Sequence, residues 1–277
     1  MPLDPGAEAA LIAAVREAAR EEILPRFRDL TPEDIAAKSR PDDLVTVADR
    51  AAEARLPAAA RKLLPGVAVV GEEAVAENPR VRDQIDTCPA CLIIDPIDGT
   101  WNFAHGLATF GVILAFAEHG RTTWAMIYDP VADEWAIARD GGGAELVRAG
   151  GARRVLRFGQ EAACDVGRTM GYVHAYLFKG EERRRVFSRL HAFHKTDALR
   201  CSAHEYRLMA QGAVDFCFSP MLNPWDHAAG ALIATEAGGV ARLLDGTDYT
   251  PGVREGRLLV AKSQTTWDAV AAVFDGI

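Results

Sequence analysis

Residues 91–106 read Cys-Leu-Ile-Ile-Asp-Pro-Ile-Asp-Gly-Thr-Trp-Asn-Phe-Ala-His-Gly, and this stretch decides how the rest of the chain is read. Residues 91–94 form a short apolar run with the character of a buried strand. The run meets Asp95 abruptly, and Asp98 follows three residues later with Pro96 between them. Two carboxylates beside an apolar strand are costly to keep charged without a counter-charge. No Lys or Arg stands nearby in sequence, so a divalent cation is the natural partner, and oxygen-only ligands favour a hard ion such as Mg²⁺. Pro96 fixes one φ and narrows the directions the carboxylates can take. The main-chain carbonyl of Ile97 offers a further oxygen. Gly99 lets the backbone approach a ligand closely. Thr100 to Phe103 can then open a helical turn whose free N–H groups face an anion. Read alone, the stretch is also compatible with a strand followed by an Asp-Pro and Asp-Gly turn.

Upstream, the apolar residues 67–70 run into Gly71-Glu72-Glu73, so a second strand ends in acid residues. A helix over about residues 49–64, opened by Asp49, precedes it and is broken by Pro65-Gly66. The first helix has Asp4-Pro5 at its start, Leu11, Ile12, Val15, Ala18, Ala19 and Ile23 on one face, and Pro25 as its expected end. Downstream, residues 109–117, 122–128 and 135–138 read as an antiparallel meander. Beyond residue 155, helices over 181–194, 202–211, 226–237 and 265–274 alternate with strands over 214–218 and 258–261. The arginines of the first of these helices read as a solvated face. Taken alone, Asp226 reads as an N-cap and Asp49 as an acid complementing a helix dipole.

Asp95-Pro96-Ile97-Asp98-Gly99-Thr100 followed by Asn102-Phe103 resembles the signature of the inositol monophosphatase family, Mg²⁺-dependent and often lithium-sensitive phosphatases of small phosphomonoesters. Gly71-Glu72-Glu73 upstream resembles a second family motif. Pro224-Trp225-Asp226, with Ala229-Gly230 and Glu236-Ala237-Gly238-Gly239, resembles a third, in the expected order. The resemblance implies an α/β (α+β) fold, a layered αβαβα sandwich. Its N-terminal half, 1–155, would carry the metal and phosphate motifs, and its C-terminal half, 156–277, would complete the site through Asp226. Implied metal ligands are Glu72, Asp95, Asp98, Asp226 and the carbonyl of Ile97, holding two or three Mg²⁺ ions. Glu72 and Thr100, the latter positioned by Asp49, would orient or deprotonate the attacking water. Gly99 and Thr100 would bind phosphate oxygens. The segment from Lys38 to Asp49 resembles the family's Lys-x-x-x-Asp-Leu-Val-Thr-x-x-Asp, which implies that Lys38 faces the phosphate. The Asp-x-Asp-x-Thr pattern of aspartyl-phosphate enzymes is absent, so no covalent phosphoenzyme is expected.

The substrate end departs from the family pattern. Inositol phosphatases carry a Glu seven residues before the metal-binding Asp, and here that position is Ser219. The family's Gly-Ser/Thr-Ala-Ala run is replaced by Arg200-Cys-Ser-Ala-His-Glu-Tyr206, which offers His204 and Glu205 to the cleft. Histidinol phosphate, a sugar phosphate or a nucleotide phosphate therefore stand beside inositol phosphate as candidate substrates. A reading of another class is a non-catalytic, metal-binding interaction protein with the same fold. The family resemblance also implies a homodimer.

Bulk properties narrow the partners. At 277 residues the chain can bury a large core. A net charge of −8 argues against a general nucleic-acid or anionic-membrane binder. It also means that phosphate needs local positive charge, which bound metal would supply. No apolar run approaches a membrane span, and the first residues lack signal-peptide character, so a cytoplasmic protein acting on a small phosphorylated metabolite is expected. Five cysteines give no disulfide framework. Cys88-Pro-Ala-Cys91 lacks a second Cys/His pair and reads as buried small side chains.

Overall fold

The computed structural model describes residues 3–159 and 162–277. Helix α1 (Pro5–Ala18) starts where the Asp4 carboxylate accepts the N–H groups of Gly6 and Ala7. A π turn and a 3-10 turn carry it on to Arg26. The regular helical ladder stops at Ile23, two residues before Pro25, and Pro25 itself stands in the single 3-10 turn that follows, one residue from its end. The hairpin β1 (Ile35–Ala37) and β2 (Leu44–Thr46) leads into α2 (Val47–Leu63). Thr46, rather than Asp49, caps α2. Asp49 is the third helical residue, and its carboxylate reaches back to the Thr46 N–H at 2.8 Å to close a capping box.

After β3 (Ala68–Gly71), α3 (Glu72–Glu77) and α4 (Gln84–Thr87) come β4 (Ala90–Asp98) and the short α5 (Thr100–Ala104). The meander is β5 (Gly111–Glu118), β6 (Arg121–Asp129) and β7 (Glu134–Arg139). It continues through β8 (Gly143–Arg148) and β9 (Arg153–Leu156), two strands beyond the apolar runs. The glycine clusters at 141–143 and 150–151 are therefore hairpin turns inside the sheet. Next come β10 (Met170–Val173), α6 (Gly180–Arg189), β11 (Lys195–Asp197) and α7 (Ser202–Ala210). The chain closes with β12 (Phe216–Ser219), α8 (Pro224–Glu236), β13 (Val240–Leu243), β14 (Leu258–Ala261) and α9 (Gln264–Val273). Helix α8 begins at Pro224, which is preorganised for the first turn, so Asp226 is its third residue and not its N-cap.

Among the described residues the strands form a seven-stranded sheet, β3-β4-β5-β6-β7-β8-β9, and a five-stranded sheet, β11-β10-β12-β14-β13, beside the small hairpin. Three buried clusters define the layers. Leu11, Val15 and Leu56 from α1 and α2 pack on Leu92, Ile94, Val112 and Leu114 of the larger sheet. Its other face gives Ile93, Ile113 and Ala115, which pack on Tyr206, Met209, Ala229 and Ile233 of α7 and α8 and, beyond them, on Cys217 and Val260 of the smaller sheet. That sheet's outer face, with Phe216, Phe218 and Leu259, is closed by Val186 of α6 and Val270 and Phe274 at α9. The order helix, sheet, helix, sheet, helix is the αβαβα sandwich. Gly230 shows how tightly the central helices meet: a Cβ there would lie 2.1 Å from the Tyr206 ring.

Alternation along β4 aims the site. Odd-numbered Cys91 and Ile93 face the α7/α8 layer, and Asp95 continues that face. Three residues further on, strict alternation would send Asp98 to the opposite side. The register shifts instead, with Asp95 opposite Ile113 and Asp98 opposite Gly111, two positions apart on β5. The bulge at Pro96-Ile97 thus returns Asp98 to the face of Asp95. No helix among the described residues is long and apolar enough to cross a membrane.

Candidate active site

A cleft of about 690 Å³ opens where the end of β4 meets α7, α8 and the C-terminal ends of β10 and β12. Asp95, Asp98 and Asp226 converge in it, with ligand oxygens within 4.8 Å of one another. Asp226 reaches this point from the first turn of α8, where Asn223 Nδ2 donates to its Oδ2 at 3.1 Å. Asp98 Oδ2 accepts the Ala203 N–H at 2.6 Å and the Cys201 thiol at 3.1 Å. Asp95 Oδ1 accepts the Ile97 N–H at 3.1 Å.

Burial pushes the Asp95 and Asp226 carboxyls well above the ordinary range, and the neighbouring Glu72 and Asp98 charges add to it. Burial pushes Asp98 up to about 6, against the pull of its Ala203 and Cys201 hydrogen bonds. Acidic oxygens gathered this closely, at this cost, form a donor set suited to a hard divalent ion.

Glu72 follows directly from β3, which lies parallel to β4 with Gly71 opposite Ile94, so it stands beside Asp95. Glu53 of α2 fixes this corner by accepting the Glu73 and Ala74 N–H groups at 2.9 and 2.8 Å. Glu72 lies outside the group of three aspartates. Its Oε1 accepts from Lys38 Nζ at 2.9 Å, and the same ammonium also touches Glu73. Burial works against the Lys38 charge, but Glu72 and Glu73 outweigh it and hold the ammonium protonated.

Gly99 turns the chain from β4 into α5 with φ 86°, and a Cβ there would lie 2.8 Å from the Thr109 carbonyl. Thr100 follows, with its hydroxyl 3.1 Å from Asp49 Oδ1 and 2.9 Å from the Ile97 carbonyl. Asp49 lies beneath the cleft rather than lining it. Burial pushes its carboxyl up to about 6, against the Thr46 hydrogen bonds. Lys38, Glu72, Asp95, Ile97, Asp98, Gly99, Thr100, Ser219 and Asp226 all line the cleft.

His204 does not line it. Its Nε2 donates to the Phe110 carbonyl at 3.0 Å and its Nδ1 accepts from Arg207 at 2.9 Å, which joins α7 to the larger sheet. Glu205 is 1 % exposed and meets His174 Nε2 at 2.6 Å and the Leu199 N–H at 2.7 Å. Ser219 Oγ is 3.1 Å from His174 Nδ1. Burial alone would discharge His174, but the Glu205 carboxylate outweighs it and raises its pKa.

Sequence reading missed His174, Tyr176, Lys179 and Arg200, which also line the cleft. The available signal was the short apolar strand β10 ending at Val173, since ligands gather beyond the C-terminal ends of parallel strands. That His174 abuts Ser219 follows only from the parallel pairing of β10 with β12, Val173 opposite Phe218.

A family model described as the inositol monophosphatase family matches residues 6–275. The chain belongs to that family. It is 32% identical over 218 residues to a Thermotoga maritima protein named fructose-1,6-bisphosphatase/inositol-1-monophosphatase, covering 78% of this chain and 77% of the relative. It is 31% identical over 231 residues to the Nus factor SuhB of Escherichia coli (strain K12), covering 80% of this chain and 78% of that one. Among solved structures, the Thermotoga maritima IMPase superposes with a TM-score of 0.77 at 26% identity, covering 95% of this chain and 94% of the other.

Proposed function

We propose that this chain hydrolyses a small phosphomonoester with Mg²⁺, by direct attack of water and without a covalent phosphoenzyme. The observation that carries this reading is the convergence of Asp95, Asp98 and Asp226 from two separate segments on one point beside Thr100 and Asp49. Those three carboxylates, Glu72 and the Ile97 carbonyl would hold two or three Mg²⁺ ions. Bound there, Mg²⁺ supplies Lewis-acid activation of a water at neutral pH and stabilises the departing ester oxygen. Asp49 accepts the Thr100 hydroxyl proton, which leaves the Thr100 oxygen free to accept from the attacking water. Glu72 shares the orientation of that water. The Gly99 and Thr100 N–H groups at the start of α5 meet phosphate oxygens, and Lys38 turns from Glu72 toward the phosphate. A homodimer acting in the cytoplasm fits this reading.

Release of phosphate from a panel of phosphomonoesters, with Mg²⁺ and with chelator, tests the proposal. Turnover that requires Mg²⁺ supports it. No metal-dependent turnover of any ester would favour the non-catalytic reading, which relatives named Nus factor SuhB keep in view.

The pH profile is a second test. Asp49 must be ionised to accept the Thr100 proton, and its carboxyl titrates near about 6, chiefly because it is buried. With Mg²⁺ saturating, kcat/KM should fall about tenfold per pH unit below that value and level off above it. A profile flat down to pH of about 4, the ordinary carboxylate range, would remove Asp49 from the mechanism.

A further inference from the structure

We propose that Arg82 is a positioning residue: it ties down the loop that leads into α8 and so sets where Asp226 stands against Asp95 and Asp98, an inference that rests on the metal-site reading above only for its effect on Mg²⁺. Helix α8 lacks the usual lock on its first turn. Its N-cap, Asn223, makes no side-chain capping bond and turns instead to Asp226 Oδ2 at 3.1 Å. Pro224 brings no N–H. The place of Asp226 therefore depends on how residues 220–223 are held. Within this stretch the Met221 N–H donates to Ser219 Oγ at 3.2 Å, and His227 Nε2 donates to the Met221 carbonyl at 2.7 Å. Both bonds join near neighbours, and neither refers the loop to the strands that carry Asp95 and Glu72. The Leu222 carbonyl makes that connection, accepting Arg82 Nη2 at 2.7 Å across 140 positions of sequence.

Arg82 stands in the 3-10 turn Pro79–Asp83 that joins α3 to α4. Helix α3 opens with Glu72, and Asn78 Oδ1 accepts the Arg80 N–H at 3.2 Å where the helix passes into the turn. The segment that brings Glu72 to the cleft thus also carries the guanidinium that holds the Asp226 loop. The same Nη2 donates to the Val253 carbonyl at 2.9 Å, so one nitrogen uses its two N–H groups on two loops. Arg254, next in the chain, meets Asp83 at 2.6 Å and keeps the second loop on the same turn. Val81, Leu222, Tyr249 and Val253 belong to one apolar cluster. Burial pushes the Tyr249 hydroxyl up; Arg82 opposes the shift and Asp226 adds to it, so both charges reach the same phenol. Bonds from a guanidinium to carbonyls are charge-assisted, and its planar fork fixes direction as well as distance, which a Lys ammonium does not.

The test uses Arg82→Met, Arg82→Lys and, as a control on the same turn, Arg254→Ala. Amide hydrogen exchange of the metal-free proteins reads the loop directly. In Arg82→Met the amides of residues 221–227 should exchange about tenfold faster than in the parent, the scale of one charge-assisted hydrogen bond, while β4 and β5 keep the parent's protection. Arg82→Lys should restore part of the protection, and Arg254→Ala should leave it unchanged. Calorimetric titration with Mg²⁺ reads the consequence at Asp226. The Kd should rise about tenfold in Arg82→Met, as it does when a residue that orients a metal ligand is removed, and stay at the parent's value in Arg254→Ala. Unchanged exchange over 221–227 would overturn the proposal, since Arg82 would not hold the loop. Exchange raised equally in every strand, or an equal rise in Kd for Arg254→Ala, would overturn it as well, since Arg82 would then only stabilise the fold. Faster exchange with an unchanged Kd would break the link to Asp226 and reject it. If the parent itself binds no Mg²⁺, the metal reading fails separately, and the exchange pattern decides the role of Arg82: faster exchange confined to 221–227 upholds it and unchanged exchange rejects it.

Discussion

Asp98→Asn is expected to lower kcat/KM for any phosphomonoester this chain hydrolyses by about 10³-fold, since metal stabilisation of the reacting charge supplies several kcal/mol. The substitution is close to isosteric. Its amide oxygen can still accept the Ala203 N–H that Asp98 Oδ2 takes at 2.6 Å, so α7 keeps its anchor on β4. What is lost is one of the three converging negative charges on which the proposed Mg²⁺ site depends. A second readout separates metal binding from chemistry. Mg²⁺ at about 100 times its Kd should add about 2.7 kcal/mol to the stability of the parent, roughly 5–10 °C in Tm. The Asn variant should show little of that gain while keeping the parent's far-UV circular dichroism. Activity within tenfold of the parent, or an unchanged Mg²⁺-induced shift in Tm, would remove Asp98 from the metal site.

Arg207→Ala should destabilise the fold by about 3–5 kcal/mol, the cost of leaving buried carboxylates without their cation. Arg207 is buried on α7 and spans to the β6–β7 turn, where Nη1 lies 3.1 Å from Asp129 and Nη2 lies 2.8 Å from Glu134. Arg148 touches only the exposed side of Glu134 and cannot replace it at Asp129. His204 would also lose its Arg207 donor. The network clamps α7 onto the sheet that carries Asp95 and Asp98, so its loss loosens one wall of the cleft. Urea denaturation of the metal-free protein measures the effect. A loss under about 1 kcal/mol, the range of exposed pairs, would show that the network contributes little to holding the layers.

The acids at strand ends were readable from residue types alone. An apolar run that stops at Asp95, or at Gly71-Glu72, breaks the rule that buried strands avoid charge, and such a break marks a site. Helices α1, α2, α7, α8 and α9 followed from apolar periodicity to within a few residues, because burial of one face is a local pattern. Strands β8 and β9 escaped, because they carry polar and charged residues on an exposed face and their turns resemble a linker.

From the chain as written came the family, the acidic residues and the order in which they occur, since each depends on side-chain chemistry within a few neighbours. Tertiary structure alone decided which of them share a point in space. The burial of Glu205 behind His174, the turning of His204 toward the Phe110 carbonyl and the meeting of Arg200 with the Trp101 ring join residues far apart in sequence, and the bulge that brings Asp98 round to Asp95 is fixed by the register of β4 against β5. Such pairings are set by strand register and layer packing, which depend on the whole core at once and leave no trace in any short window of residues.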